Sequence, residues 1–106
     1  MYLVEFDKAA DLLKAMGHPL RLHLLAEVAK QPCCVHDLVK ATGATQPLVS
    51  QHLAVLRSAN LLASQRRGRE VTYTLIDSHI AHIVSDAVEH ATLEGANHEH
   101  HVHDPR

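Results

Sequence analysis

Two histidines and an aspartate near the end of the chain restrict how it can fold and assemble. Asp77, His79 and His90 are all metal ligands by type, and the two histidines are separated by eleven positions. In a helix this is about three turns, so both imidazoles share one face but are roughly 16 Å apart along the axis. Because zinc holds its ligands at about 2 Å, one helix cannot bring both to the same ion. A second, antiparallel copy would place His90 opposite His79, which predicts a two-fold dimer with two equivalent intersubunit metal sites.

The composition indicates one small domain with an aliphatic core. The 106 residues include two Tyr, one Phe and no Trp, so Leu, Val, Ile and Ala must fill the interior, and dimerisation would bury further apolar surface. The two cysteines are adjacent, which is unsuited to a disulfide framework and typical of a reducing compartment. We find no signal-peptide pattern and no long apolar run, and therefore expect a cytoplasmic protein that does not enter a membrane.

The net charge of −2 conceals an uneven distribution of charge. Residues 34–76 carry five basic and two acidic side chains, whereas residues 77–106 carry six acidic side chains, one basic side chain and seven histidines. The first region is suited to an anionic partner and the second to a cation.

Hydrophobic periodicity predicts five helices. They cover residues 5–16, 20–30, 34–42, 46–59 and, starting at 77 or 78, the segment to about 93. Gly43 and Pro47 stand where a short turn between the third and fourth helices needs them, one as a C-terminal cap and the other in a first helical turn.

Two short strands are predicted at residues 62–66 and 70–75, joined around Gly68, because apolar and polar residues alternate there. We expect residues 1–94 to form one DNA-binding and dimerisation domain. Residues 95–106 are expected to form a flexible His-rich tail.

Helix, short turn, helix and basic hairpin together predict a winged helix-turn-helix: a mainly α fold with a small β-hairpin wing, dimerised through its terminal helices. The second helix of such a unit enters the major groove of double-stranded DNA. Its outward positions and the arginines of the hairpin suit base edges and phosphates. The candidate DNA contacts are Gln46, Ser50, Gln51, His52, Arg66, Arg67 and Arg69.

The span from about Lys8 to His90 resembles the ArsR/SmtB family of metal-responsive transcriptional repressors. The resemblance is carried by the segments GHPLRL at 17–22, PLVSQHLAVL at 47–56 and GREVTY at 68–73. It implies a homodimer that binds operator DNA when metal-free. It also implies that a metal ion acts as effector, weakening the DNA complex and releasing repression.

One group within that family binds metal between subunits through Asp-x-His-(ten residues)-His-x-x-His/Glu on the last helix. Asp77, His79 and His90 match the first three ligands, but the fourth position is Leu93, which has no donor atom. Glu94, His98 or water would then complete the site. Asp77 is also suited to cap the helix. Imidazole and carboxylate without thiolate favour Zn²⁺, with Ni²⁺ or Co²⁺ next if the tail adds ligands.

A second family site binds thiophilic metals through a Cys-Val-Cys-Asp-Leu box at the third helix. This chain reads Cys-Val-His-Asp-Leu from Cys34, preceded by Cys33. Cys33, Cys34 and His36 are therefore a candidate secondary metal site. The alternative is that Cys34 packs as a small apolar residue.

No nucleophile–base order, paired-carboxylate pattern or phosphate-binding loop is present, so we do not expect an enzyme. Two other functions stay open. One is a thiol-based redox or persulfide-responsive repressor that uses Cys33 and Cys34, and the other is a metal buffer or carrier. DNA binding that falls on zinc addition, but not on mild oxidation, would separate these functions from metal-responsive repression.

Overall fold

A computed structural model describes the backbone of residues 3–98 and the side chains as far as Leu93. Within residues 3–98, five helices and three strands follow one another. They are α1 (Val4–Met16), α2 (Pro19–Lys30), β1 (Cys33–Cys34), α3 (Val35–Thr42), α4 (Gln46–Ser58), β2 (Leu62–Arg67), β3 (Glu70–Leu75) and α5 (Ser78–His98). The predicted winged helix-turn-helix is confirmed, with α3 and α4 as the helix pair and β2–β3 as the wing. No helix in the described part of the chain is long and apolar enough to cross a membrane.

Strand β1 is an element that the sequence prediction missed, having assigned Cys34 to a helix. Cys33 pairs with Tyr73 and Cys34 with Thr72, so the sheet is antiparallel with the order β1-β3-β2. This short strand covers the edge of β3 that β2 leaves unpaired. Two residues are too few to show an alternating pattern, which is why periodicity could not reveal β1.

Helix α5 runs to His98, beyond the predicted end near Leu93. Gly95 lies inside it, since a glycine costs a helix interior only about 1 kcal/mol. The predicted division between a domain and a tail at residue 95 stays a prediction, because residues 99–106 lie outside the described residues.

The core forms where α2 to α5 meet the sheet. Its buried members include leucines from α2, α3 and α4, and α5 contributes Ile80 and Val84. Helix α2 contacts both α4 and α5, and so connects the two helices that carry the predicted functional residues. The large side chains with the least exposure are Leu24, Leu25, Leu38, Val49, Leu53, Leu56 and Leu61.

The turn between α3 and α4 is built by local hydrogen bonds. Gly43 adopts φ 75°, and its N–H donates to Val39 O at 2.9 Å, which caps α3. The Thr45 hydroxyl accepts from the Leu48 N–H at 3.4 Å and caps α4. Pro47, whose missing N–H would have no helical partner there, lies in the first turn of α4. The predicted positions of Gly43 and Pro47 are confirmed.

Replacing Gly43 tests the left-handed turn. A Cβ at this position would meet no atom within 4 Å, so the cost of Gly43→Ala is backbone strain only. We expect it to lower the free energy of unfolding by about 1–2 kcal/mol, measured by chemical denaturation. Gly43→Asn is the control and should cost less, because Asn tolerates this conformation. Equal stability of both variants and the parent would contradict the argument.

Candidate nucleic-acid interface and metal site

Helix α4 separates a buried stripe from an exposed polar face. Val49, Leu53 and Leu56 are buried, and this orientation leaves Gln46, Ser50 and Gln51 exposed. These three side chains therefore point outward, as predicted. Amide and hydroxyl groups on such a face can donate to and accept from base edges and phosphates.

The wing carries its three arginines at and beside the β2–β3 turn. Arg66, Arg67 and Arg69 are exposed, and Gly68 makes the turn with φ 63°. Arg66 Nη1 donates to Gly68 O at 3.4 Å. All three arginines are thus exposed within residues 66–69, where their guanidinium groups are suited to phosphates.

The predicted outward orientation of His52 is wrong. Only 7% of this residue is exposed, because it follows Val49 by three positions and precedes Leu56 by four, and so lies on the buried stripe of α4. That spacing was readable in the sequence and should have assigned His52 to the core.

His52 belongs instead to a basic cluster between α4 and the start of α2. Arg21 Nε donates to His52 Nδ1 at 3.1 Å, and Arg21 Nη1 donates to Ala15 O at 2.9 Å. The His18 ring lies with its centroid 4.4 Å from that of His52, and His18 Nδ1 caps α2 by accepting from the Leu20 N–H. Burial lowers the pKa of His52, and the nearby His18 and Arg21 lower it further.

Asp77 and His79 come together at the start of α5. Asp77 Oδ1 accepts from the His79 N–H at 2.9 Å and so caps the helix. The His79 Nδ1 atom lies 3.5 Å from the same oxygen, and 88% of the His79 side chain and 52% of the Asp77 side chain are exposed. A carboxylate and an imidazole are thus adjacent and open to solvent, and capping engages one carboxylate oxygen.

His90 lies on the same helix and is also exposed. Because α5 is continuous from Ser78 to His98, its geometry separates His79 from His90 as the sequence argument requires. No three His, Cys, Asp or Glu side chains in the described part of the chain are grouped to hold an ion. The side chains of Glu94 and His98, two candidates for the fourth ligand, lie outside those described.

The candidate secondary site is not assembled in the structure. Cys33 is buried, and its Sγ donates to Gln31 O at 3.2 Å. Cys34 follows it in strand β1, where successive side chains point to opposite faces, and His36 is exposed on α3. These three side chains are not grouped to hold an ion in the described part of the chain, and their use as a secondary metal site stays a prediction.

The chemistry of the two thiols also disfavours a thiolate. Burial raises the pKa of Cys33, and the carboxylates of Asp37 and Glu27 raise it further. For Cys34, a backbone hydrogen bond at Asp37 lowers the pKa, but burial and the Asp37 carboxylate outweigh it and the net shift is upward. The thiolate is the form that attacks and that binds metal, so both groups are held in their less reactive form.

A short-turn helix pair with a polar exposed face, followed by an arginine-bearing hairpin, defines a winged helix-turn-helix protein. The sequence profile described as "Bacterial regulatory protein, arsR family" matches residues 18–64. The HTH-type transcriptional repressor SmtB of Mycobacterium tuberculosis is 48% identical over 85 residues, which cover 80% of this chain and 63% of that protein. The chain therefore spans somewhat less than two thirds of that relative's length.

A second relative and a solved structure agree with the profile. The HTH-type transcriptional regulator NmtR of Mycobacterium tuberculosis is 37% identical over 84 residues, covering 79% of this chain and 70% of that protein. HlyU from Vibrio cholerae has a TM-score of 0.74 at 30% identity, covering 79% of this chain and 91% of that chain. The chain belongs to the ArsR family of bacterial regulatory proteins, as its resemblance predicts.

The pKa of His52 leads to a prediction about stability and pH. Because the folded protein holds this pKa below its ordinary value of about 6.5, the unfolded chain takes up the proton first on acidification. The free energy of unfolding is then largest above about pH 6.5 and decreases as the pH falls towards the folded-state pKa. His52→Asn, which keeps an acceptor for Arg21, should weaken this decrease in denaturation experiments between about pH 7.5 and 5.5. Exposed His36→Asn is the control, and an unchanged pH dependence in His52→Asn would refute the assignment.

Replacing Arg67 tests the wing. We expect Arg67→Ala to weaken binding to all duplex sequences alike, and to reduce the slope of log affinity against log salt by roughly 1, because one phosphate contact is lost. Fluorescence anisotropy at several salt concentrations measures both quantities. Lys30→Ala removes the same charge from the end of α2 and should leave the slope unchanged. A parent-like slope in Arg67→Ala would show that this side chain does not contact DNA.

Proposed function

We propose that this protein is a homodimeric transcriptional repressor that binds operator DNA when metal-free and is released by metal ions bound between its α5 helices. Two features together carry the proposal. One is a recognition-type helix, and the other is an exposed Asp77 that caps α5, with exposed His79 and His90 on that continuous helix. SmtB and NmtR, which the chain matches, are described as a transcriptional repressor and a transcriptional regulator.

The DNA-binding part of the proposal rests on α4 and the wing. Gln46, Ser50 and Gln51 are available for base and phosphate contacts, and the wing arginines supply the electrostatic term. His52 acts differently from the other candidates: it holds α4 against Arg21 instead of contacting a base. A dimer presents two α4 helices to half-sites about one DNA turn, or roughly 34 Å, apart.

The dimer is supported by apolar side chains left exposed on the terminal helices. Val4, Phe6 and Leu13 of α1 and Val88 and Leu93 of α5 are all more than half exposed or close to it. Exposed apolar groups of this size on two helices favour association with another surface. A second copy of the chain supplies the complementary surface and also the second half of each metal site.

Each metal site would take Asp77 and His79 from one chain and His90 from its partner. The donors are carboxylate and imidazole, a set that suits Zn²⁺, with Ni²⁺ or Co²⁺ as the next choice. Leu93, 56% exposed, brings no ligand, so Glu94, His98 or water completes the coordination. The two-fold axis makes the sites equivalent and predicts two such ions per dimer.

Coupling between metal and DNA follows from the packing of α5. Ile80 and Val84 attach it to the core, and α2 contacts both α5 and α4. An ion that links two α5 helices would fix the relative orientation of the two protomers. That orientation determines how far apart the two α4 helices lie. The metal can weaken DNA binding only by as much as its affinity differs between the DNA-binding and the released conformation of the dimer. Coupling free energies of this kind are typically about 1–3 kcal/mol.

Removing one metal ligand separates sensing from DNA binding. We expect His79→Ala to bind operator DNA as the parent does without metal, but to lose the weakening of that complex by Zn²⁺, which for the parent should be about 5–150-fold. Anisotropy titrations with and without Zn²⁺ measure both. His23→Ala, an exposed histidine on α2, is the control and should respond normally. A full zinc response in the His79→Ala dimer would place the sensor elsewhere.

A further inference from the structure

Two more potential ligands on α5 are not used by the proposed sensor site. His82 and Asp86 are exposed and lie four residues apart, so their side chains are neighbours on the helix surface. Asp86 is also seven residues after His79 and four before His90, which places it on the same stripe of α5. The face that would carry the sensor ligands therefore continues through the middle of the helix.

Glu89 lies three residues after Asp86 and seven after His82, and so is next to both on the surface of the helix. It lines a groove between α2 and α5 together with Ala26, Ala29 and Val88. His82 and Asp86 do not line that groove. Glu89 is therefore a carboxylate at the groove edge of this surface, whereas Asp86 lies closest to the stripe of His79 and His90.

The antiparallel register that joins His79 to the partner's His90 also determines where the two-fold axis crosses α5. The midpoint between these positions falls between Val84 and Ser85. Asp86 and His82 are then about 1.5 and 2.5 residue steps from the axis, or roughly 2 and 4 Å along the helix. Along the helix, the two copies of Asp86 are then about 4.5 Å apart and the two copies of His82 about 7.5 Å apart, and His82 is nearly level with the partner's Asp86.

The direction of these side chains agrees with that position. Four residues rotate by about 40° beyond a full helical turn, so His82 and Asp86 point to nearly the same side of the seam. A two-fold axis perpendicular to two antiparallel helices keeps equivalent residues on the same side of their seam. Two imidazoles and two carboxylates therefore surround one point on the axis.

We propose that His82 and Asp86 of both protomers form a third metal site, on the two-fold axis between the two sensor sites. This inference rests on the antiparallel dimer of the proposed function. Two imidazole nitrogens and two carboxylate oxygens are a four-ligand set suited to tetrahedral Zn²⁺ or Co²⁺. Because half of the ligands come from each chain, the site exists only in the dimer, and an ion there ties the α5 helices at their midpoint.

Metal stoichiometry of the full-length dimer tests the proposal. Equilibrium dialysis against Zn²⁺, followed by elemental analysis, should give one ion fewer per dimer for His82→Gln and for Asp86→Asn than for the parent. The double variant should also lose one ion in total, because all four ligands hold a single ion. His23→Gln is the matched control and should bind as many ions as the parent, which also accounts for ions held by the His-rich C-terminal segment.

The same measurement distinguishes failure of this inference from failure of the proposed function. The His79→Ala dimer should bind two ions fewer than the parent and keep the central ion. The double variant His79→Ala/His82→Gln should lose the central ion as well. Co²⁺ absorption in the visible range should show a tetrahedral signal in His79→Ala that is absent from His79→Ala/His82→Gln. Parent-like stoichiometry in His82→Gln and Asp86→Asn overturns the central site and leaves the sensor sites standing. A monomer, or a dimer whose stoichiometry does not change in His79→Ala, overturns the proposed function and the central site with it.

Discussion

The burial of one stripe of α4 is the constraint on which the rest of the structure depends. Val49, Leu53 and Leu56 pack this helix onto α2, α3 and β2. Since each helical position turns by about 100°, burying these residues directs Gln46, Ser50 and Gln51 to solvent. The same packing leads the chain through Asn60, in a left-handed conformation with φ 65°, into β2. The wing is therefore held in a defined position beside the recognition helix.

Helix α5 has two roles because it has two faces. Ile80 and Val84 are buried and attach it to α2, whereas His79, Asp86 and His90 are exposed on another side. A close-packed interior transmits displacement as movement of whole elements. A change in the way α5 meets a partner would thus move α4 as part of the same body.

The side-chain orientations that the sequence did not predict belong to polar and thiol residues inside apolar patterns. His52 was assigned to the exposed face by its residue type, although its spacing from Val49 and Leu56 is that of the core. Cys33 and Cys34 were considered as neighbouring ligands, but strand pairing with Tyr73 and Thr72 separates their side chains. In both cases a partner distant in the sequence, Arg21 for His52 and β3 for the cysteines, decided the orientation.

The sequence by itself determined the five helices, the wing, the exposed face of α4 and the ligand spacing on α5. These follow from periodicity, from Gly43 and Pro47 at helix ends and from the fixed rise of a helix, all of which act over a few residues. Only the tertiary structure decided the third strand, the burial of His52 beneath Arg21 and the burial of Cys33. Those features depend on which distant segments meet, because a polar group that is taken out of water orients towards whichever partner the fold places beside it.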